Sequence, residues 1–187
     1  MKIFVSRIRK LFILSLLLIF ALGITVSTQA VAWAQEAQES QVVGQEYTLP
    51  YSGLLPDSPL YPFKKMRDSV WVFFTRDSLK KAELLLLHSD KKIAMAQVLA
   101  DKGNWSKALE IAQDSEGDVA KMITAVQMAK RIGYAPQPDL LSKMRKSSTK
   151  HGEMLKDFMK KSDPAYKPAF DDLMKVNVDH YNEFGAL

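Results

Sequence analysis

The chain has 187 residues, 26 basic against 21 acidic, and not one cysteine. Without cysteine there are no disulfides, no lipoprotein processing at a cysteine and no thiolate metal site, so the core alone must hold the fold together. Residues 1–34 carry four of the basic residues and no acid, which leaves 22 basic against 21 acidic beyond them. That near-neutral remainder lacks the broad positive field of a nucleic-acid binder, and no nucleic-acid partner is expected.

Lys2, Arg7, Arg9 and Lys10 form a positive start, and Leu11 to Ile24 is almost wholly apolar. Ala30-Val31-Ala32 and Ala32-Trp33-Ala34 both fit the small-x-small pattern read by signal peptidase. Together these make residues 1–34 a secretory signal peptide, cut after Ala32 or Ala34. The apolar run is shorter than the roughly 20 residues of a spanning helix. Residues 11–34 are nevertheless uncharged, so retention as a signal anchor over residues 8–32 stays open. Either way the protein is expected outside the cytoplasmic membrane: secreted, periplasmic or envelope-associated.

Residues 35–49 are rich in Gln, Glu and Ser and read as a flexible spacer before a helical domain at 50–184. Leu49 to Pro62 holds four prolines and Gly53, which forbid a continuous helix. Its apolar side chains, Tyr51, Leu54, Leu55, Leu60 and Tyr61, predict an extended lead-in packed along the helices. A short helix follows over about 63–74. There Phe63, Met66, Val70 and Phe73 recur at helical spacing, and Trp71 and Phe74 widen the apolar face. Asp77 caps a second helix over about 78–102, with a stripe of Leu79, Ala82, Leu86, Ile93, Ala96 and Ala100 and a stop at Gly103. The run Leu84 to Leu87 predicts burial on several sides there.

The third helix spans about 104–131, with Trp105, Leu109, Ala112, Val119, Ile123 and Val126 inward and Gly133 as its stop. Gly117, inside the polar patch Asp114 to Asp118, suggests a kink. The fourth covers about 139–161 and turns Leu141, Met144, Leu155 and Phe158 inward. Asp163 and Pro164 are expected to open a fifth, with Phe170, Leu173, Val176 and Phe184 on its buried face. No alternating strand pattern occurs after the signal. The fold class is all-α: an up-and-down bundle of four to five antiparallel helices after a proline-rich extended segment.

Chemistry is sparse. His151 and His180 lie on the apolar faces of the last two helices. With those helices antiparallel about residue 163, His151 faces about position 175, which leaves His180 about 7 Å away along the axis. Shared zinc ligation needs about 2 Å from each ring. His88 and Asp90, two apart, do not share a helix face. Asp114, Glu116 and Asp118 sketch a calcium loop, but the twelfth position is Ala125 rather than the bidentate Glu. No phosphate-cradling or nucleophile-elbow motif is present. Leu99 to Ala112 looks like the start of a tetratricopeptide helix pair through Gly103, Trp105, Ala108, Leu109 and Ala112. A shift of one repeat lands on Gln137 and Asp139, which do not match. Residues 139–168 are basic with acids interspersed, as on a solvated helix face. No catalytic, cofactor-binding or metal residue is assigned, and no cofactor is expected.

The string Leu55-Pro56-Asp57-Ser58-Pro59-Leu60-Tyr61-Pro62-Phe63-Lys64-Lys65 is the most specific in the chain. With Ala82-Glu83-Leu84 and the Lys102-Gly103 stop it resembles a bacterial family of exported or membrane-anchored helical proteins, domain of unknown function 5667, over residues 54–160. It departs from the family at Ile93-Ala94-Met95, where charged residues are usual. The resemblance implies export and a helical-hairpin core, and it carries over no activity and no site residues.

Three functions compete. The first is a noncatalytic module of the envelope that contacts an unknown protein partner or itself, reaching the membrane only through an uncleaved N-terminus. It predicts an apolar patch around Trp71 and Phe74. The second is a small-molecule-binding bundle with an internal cavity lined by methionines and aromatics. The third is a hydrolase or metalloenzyme using His151 or His180, which needs a carboxylate within reach of a ring in a cleft. The first is the reading adopted, and no enzymatic activity is expected.

Overall fold

The structure, a computed structural model, describes residues 47–187. The expected signal segment 1–34 and most of the expected spacer 35–49 lie outside the described residues. Five helices follow in order: α1 (Tyr61–Phe74), α2 (Ser78–Asp101), α3 (Trp105–Arg131), α4 (Pro138–Lys161) and α5 (Lys167–Ala186). No strand occurs among the described residues.

Local chemistry sets most helix ends. Asp77 caps α2 by accepting from the backbone N–H groups of Leu79 (2.9 Å) and Lys80 (3.1 Å). Asn104 caps α3 through Lys107 N–H at 3.2 Å. Gly103 (φ 74°) and Gly133 (φ 88°) adopt the left-handed backbone that ends α2 and α3, where a side chain would be strained. The expected start of the last helix is corrected. Residues 163–166 form a turn, with Tyr166 N–H bonded to Asp163 C=O, and Pro168 rather than Pro164 occupies the first turn of α5.

Helices α2 to α5 form an antiparallel four-helix bundle. The hairpins α2–α3 and α4–α5 lie side by side, α2 against α4 and α3 against α5. At one end Ile93, Leu99, Ala108, Ile111, Leu155, Phe158 and Phe170 make an apolar layer. At the other end Leu85, Val119, Met122, Val126, Leu140, Met144 and Phe184 make a second. Each helix contributes to both layers, with opposite ends alternating, as short connections between long helices demand.

Several face assignments change. Leu87 and Val176 are exposed, while Leu85, Met95, Leu99 and Leu140 are buried. In the lead-in, Leu49, Leu55 and Tyr61 pack on the first layer, but Tyr51 and Leu60 face solvent. Helix α3 runs unbroken through Gly117, and a Cβ built there meets nothing within 4 Å. Gly117→Ala is therefore expected to raise the unfolding free energy by about 1 kcal/mol, since glycine in a helix interior costs that much relative to alanine. A urea titration that shows no gain would mean the glycine relieves strain in α3.

Candidate functional site

Between the two apolar layers lies a polar one to which all four bundle helices contribute. Asp90 comes from α2, Glu116 from α3, Ser147, Ser148 and His151 from α4, and Asn177 and His180 from α5; all are buried. The Glu116 carboxylate is the hub. Its Oε1 lies 3.0 Å from His151 Nδ1 and 3.3 Å from Asn177 Nδ2, and its Oε2 lies 2.9 Å from His180 Nδ1. On the far side of the His151 ring, Nε2 is 3.1 Å from Asp90 Oδ1. Ser147 donates to that same oxygen, and Tyr47 from the lead-in donates to Asp90 Oδ2. Asn177 also donates to Ser148 Oγ at 3.3 Å.

This geometry favours a charge. Ionised carboxylate oxygens only accept hydrogen bonds, so a ring that bonds one through each nitrogen donates from both, as an imidazolium does. Burial by itself would push the His151 imidazole down, but its bonds to Asp90 and Glu116 outweigh that and raise it to about 9. Burial would likewise raise the Glu116 carboxyl, yet the His151 and His180 hydrogen bonds and charges hold it at about 2. Burial and the Asp90 charge keep the Tyr47 phenol protonated far above its ordinary range. A slide of any one helix would set a charge against Phe or Leu, so the polar layer selects one register.

The two histidines do meet, through a shared carboxylate, contrary to the separation estimated from sequence. The α4–α5 register is shifted from that estimate: Asn177 Oδ1 lies 2.8 Å from where a Cβ of residue 152 would sit, so Asn177 faces Gly152. The absent side chain lets α5 approach. The two nitrogens of His151 meet different carboxylates and His180 Nδ1 meets the other oxygen of Glu116, and among the described residues no three His, Asp or Glu groups converge as a metal ion requires. The acidic patch on α3 also splays apart. Asp114 pairs with Lys65, Asp118 pairs with Lys92 (2.7 Å) and Lys121 (3.0 Å), and Glu116 points the other way into the core. The carboxylate partner that catalysis would need is present, but His151 is closed off from solvent at 0 % exposure. His88 lines a different place, and burial lowers its imidazole.

That other place is a cleft of about 660 Å³ between α1 and the α2–α3 hairpin. Its lining is charged, with Lys64, Lys65, Lys91, Asp114 and Asp118 among it, and Met95 is its one methionine. It lies outside the core and differs from the internal methionine-lined cavity expected of a ligand-binding bundle.

Helix α1 is the anomaly of the fold: none of its residues is buried. Its polar side is turned inward. Tyr61, Lys64, Asp68 and Val72 are half-covered, whereas Phe63, Met66, Val70, Trp71, Phe73 and Phe74 face outward, with Phe73 78 % exposed. At 100° per residue Phe63, Met66, Val70, Phe73 and Phe74 fall within an arc of about 100°. The expected patch at Trp71 and Phe74 is thus present and larger than those two residues.

Fold and sites together define an all-helical bundle with a sealed polar layer and an outward apolar helix. The chain belongs to the family described as Domain of unknown function (DUF5667), whose profile matches residues 53–165. The match takes in α1 to α4 and ends before α5, so Asn177 and His180 lie beyond it. Searches of curated proteins and of solved structures return no match.

Proposed function

We propose that this protein is an exported, noncatalytic interaction module of the cell envelope, with α1 as its contact helix. The observation that carries the reading is the outward apolar face of α1. Isolated exposed apolar residues are ordinary, but five within about 100° of one short helix, with Trp71 exposed nearby, make a patch of the kind that marks interaction sites. The sealed histidines support a structural role for the polar layer, because general acid–base catalysis needs hydrogen-bond reach to a substrate. The positive start, apolar run and small-x-small sites at residues 1–34 support export.

The test is the native host's envelope fraction, for the wild type and for Trp71→Ser/Phe74→Ser. The wild type is expected there, with a mass starting at Trp33 or Gln35 if processed, and in a complex larger than the monomer. The variant should leave that complex while changing stability by only about 0.5 kcal/mol, as surface substitutions do. Recovery from the cytosol, or an unchanged complex, contradicts the reading.

A further inference from the structure

Resting on the reading of α1 as the contact helix, we infer that its occupant is the surface of an anionic phospholipid bilayer. The first ground is shape and composition. One face is aromatic and aliphatic, and helices with such a face and basic flanks lie in the headgroup plane with the apolar side sunk about 5–10 Å. The apolar arc holds Phe63, Phe73 and Phe74; exposed Trp71 lies about 60° past Phe74, on the far side of Arg67, and Trp is a side chain enriched at membrane interfaces.

The second ground is charge. Between residues 64 and 81 stand Lys64, Lys65, Arg67, Arg76, Lys80 and Lys81, against Asp68 and Asp77 alone. Asp68 offsets Arg67 at 2.7 Å, Asp114 offsets Lys65 at 3.3 Å and Asp77 caps α2, which leaves Lys64, Arg76, Lys80 and Lys81 as an excess of positive charge around α1. Each basic side chain near an anionic leaflet contributes about 1 kcal/mol. The same charges disfavour a second copy as occupant. Two α1 faces pressed together would bring Arg67, next to Phe74 around the helix, of both chains to the edge of one seam, and like charges there repel.

The third ground is the chain itself. Residues 25–60 link the apolar run Leu11 to Ile24 to α1. An N-terminus retained in the membrane therefore keeps α1 within reach of the bilayer, and a processed chain would bind through α1 alone.

The chain has Trp33, Trp71 and Trp105 and no cysteine, so site-specific probes are simple. The full-length Trp33→Phe/Trp105→Phe variant leaves Trp71 as the one tryptophan, excited selectively over the six tyrosines at the red edge. With mixed phosphatidylglycerol–phosphatidylcholine vesicles, Trp71 emission should shift to the blue and be quenched by brominated acyl chains. In pure phosphatidylcholine the apparent affinity of that change should fall at least about tenfold. Adding Phe63→Glu/Phe74→Glu should abolish the change and leave the helical circular dichroism intact. Val70→Cys, read by thiol cross-linking and maleimide labelling without lipid, separates the outcomes. A water-like Trp71 on anionic vesicles overturns the lipid proposal, and cross-linked dimers at Val70→Cys would then keep the contact-helix reading with a second copy as occupant. A blue-shifted Trp71 and an unreactive thiol in a lipid-free monomer overturn both, because α1 would then have turned its apolar face onto the bundle.

Discussion

Glu116→Ala is expected to destabilise the bundle by about 3–5 kcal/mol, the cost of breaking a buried ionic network by removing one partner. The carboxylate is 2 % exposed and is held by both histidines and Asn177. Its loss strands the His180 N–H in the core, leaves the Asn177 amide with Ser148 alone, and leaves the His151 cation with Asp90 as its one carboxylate. A domain of ordinary stability, about 5–15 kcal/mol, would lose a large part of its margin. Glu116→Gln keeps the shape but aims an amide donor at an imidazole N–H, so it should be nearly as costly. The measurement is the urea midpoint at fixed m-value. A loss below about 1 kcal/mol for Glu116→Ala would mean that water replaces the carboxylate and that the layer is not sealed.

Alkaline pH should have the second large effect. The folded imidazole of His151 is raised to about 9 from an ordinary 6.5, so its stabilisation is complete below about 6.5 and disappears as pH climbs through about 9. A rise of that size corresponds to about 3 kcal/mol. Glu116 works with the opposite sign. Lowered to about 2, it stabilises fully above its ordinary 4.5 and ceases to do so as pH falls toward 2. Stability should therefore be greatest between about pH 4.5 and 6.5 and fall on both sides. Tyr47, packed against Asp90, stays protonated throughout this window and does not confuse it. Urea unfolding at pH 6 and pH 9 measures the alkaline loss, and His151→Gln should flatten it. An equal midpoint at both pH values in the wild type would show that the ring is not a cation in the folded state.

Much of the polar layer was legible in principle. Asp90 sits four residues after Leu86 and three before Ile93, and Glu116 four after Ala112 and three before Val119. His151 and His180 stand four before Leu155 and Phe184. Each therefore interrupts a buried stripe near its helix midpoint. What spacing along single helices lacks is register. A shift of about three residues in which position of α5 faces α4 decides whether two rings miss each other or share Glu116, and that shift depends on Gly152 leaving room for Asn177. Asp114, Glu116 and Asp118, already rejected as a calcium loop on Ala125, separate for a related reason: residues two apart on a helix point to different sides.

The amino-acid sequence by itself determined the helices, because their signals are local: Asp77 and Asn104 as caps, Gly103 and Gly133 as left-handed stops, and apolar residues at a period of 3.6. It also determined the all-α class, since short links between long helices leave few arrangements. The tertiary structure decided which apolar stripes are core and which are surface. By pattern, Phe63, Met66, Val70 and Phe73 look no different from Ile93, Ala96 and Ala100. The second set closes against three neighbouring helices, while the first faces outward because the bundle is already full with four. Burial is a property of what surrounds a side chain, and partners brought together across tens of residues supply it.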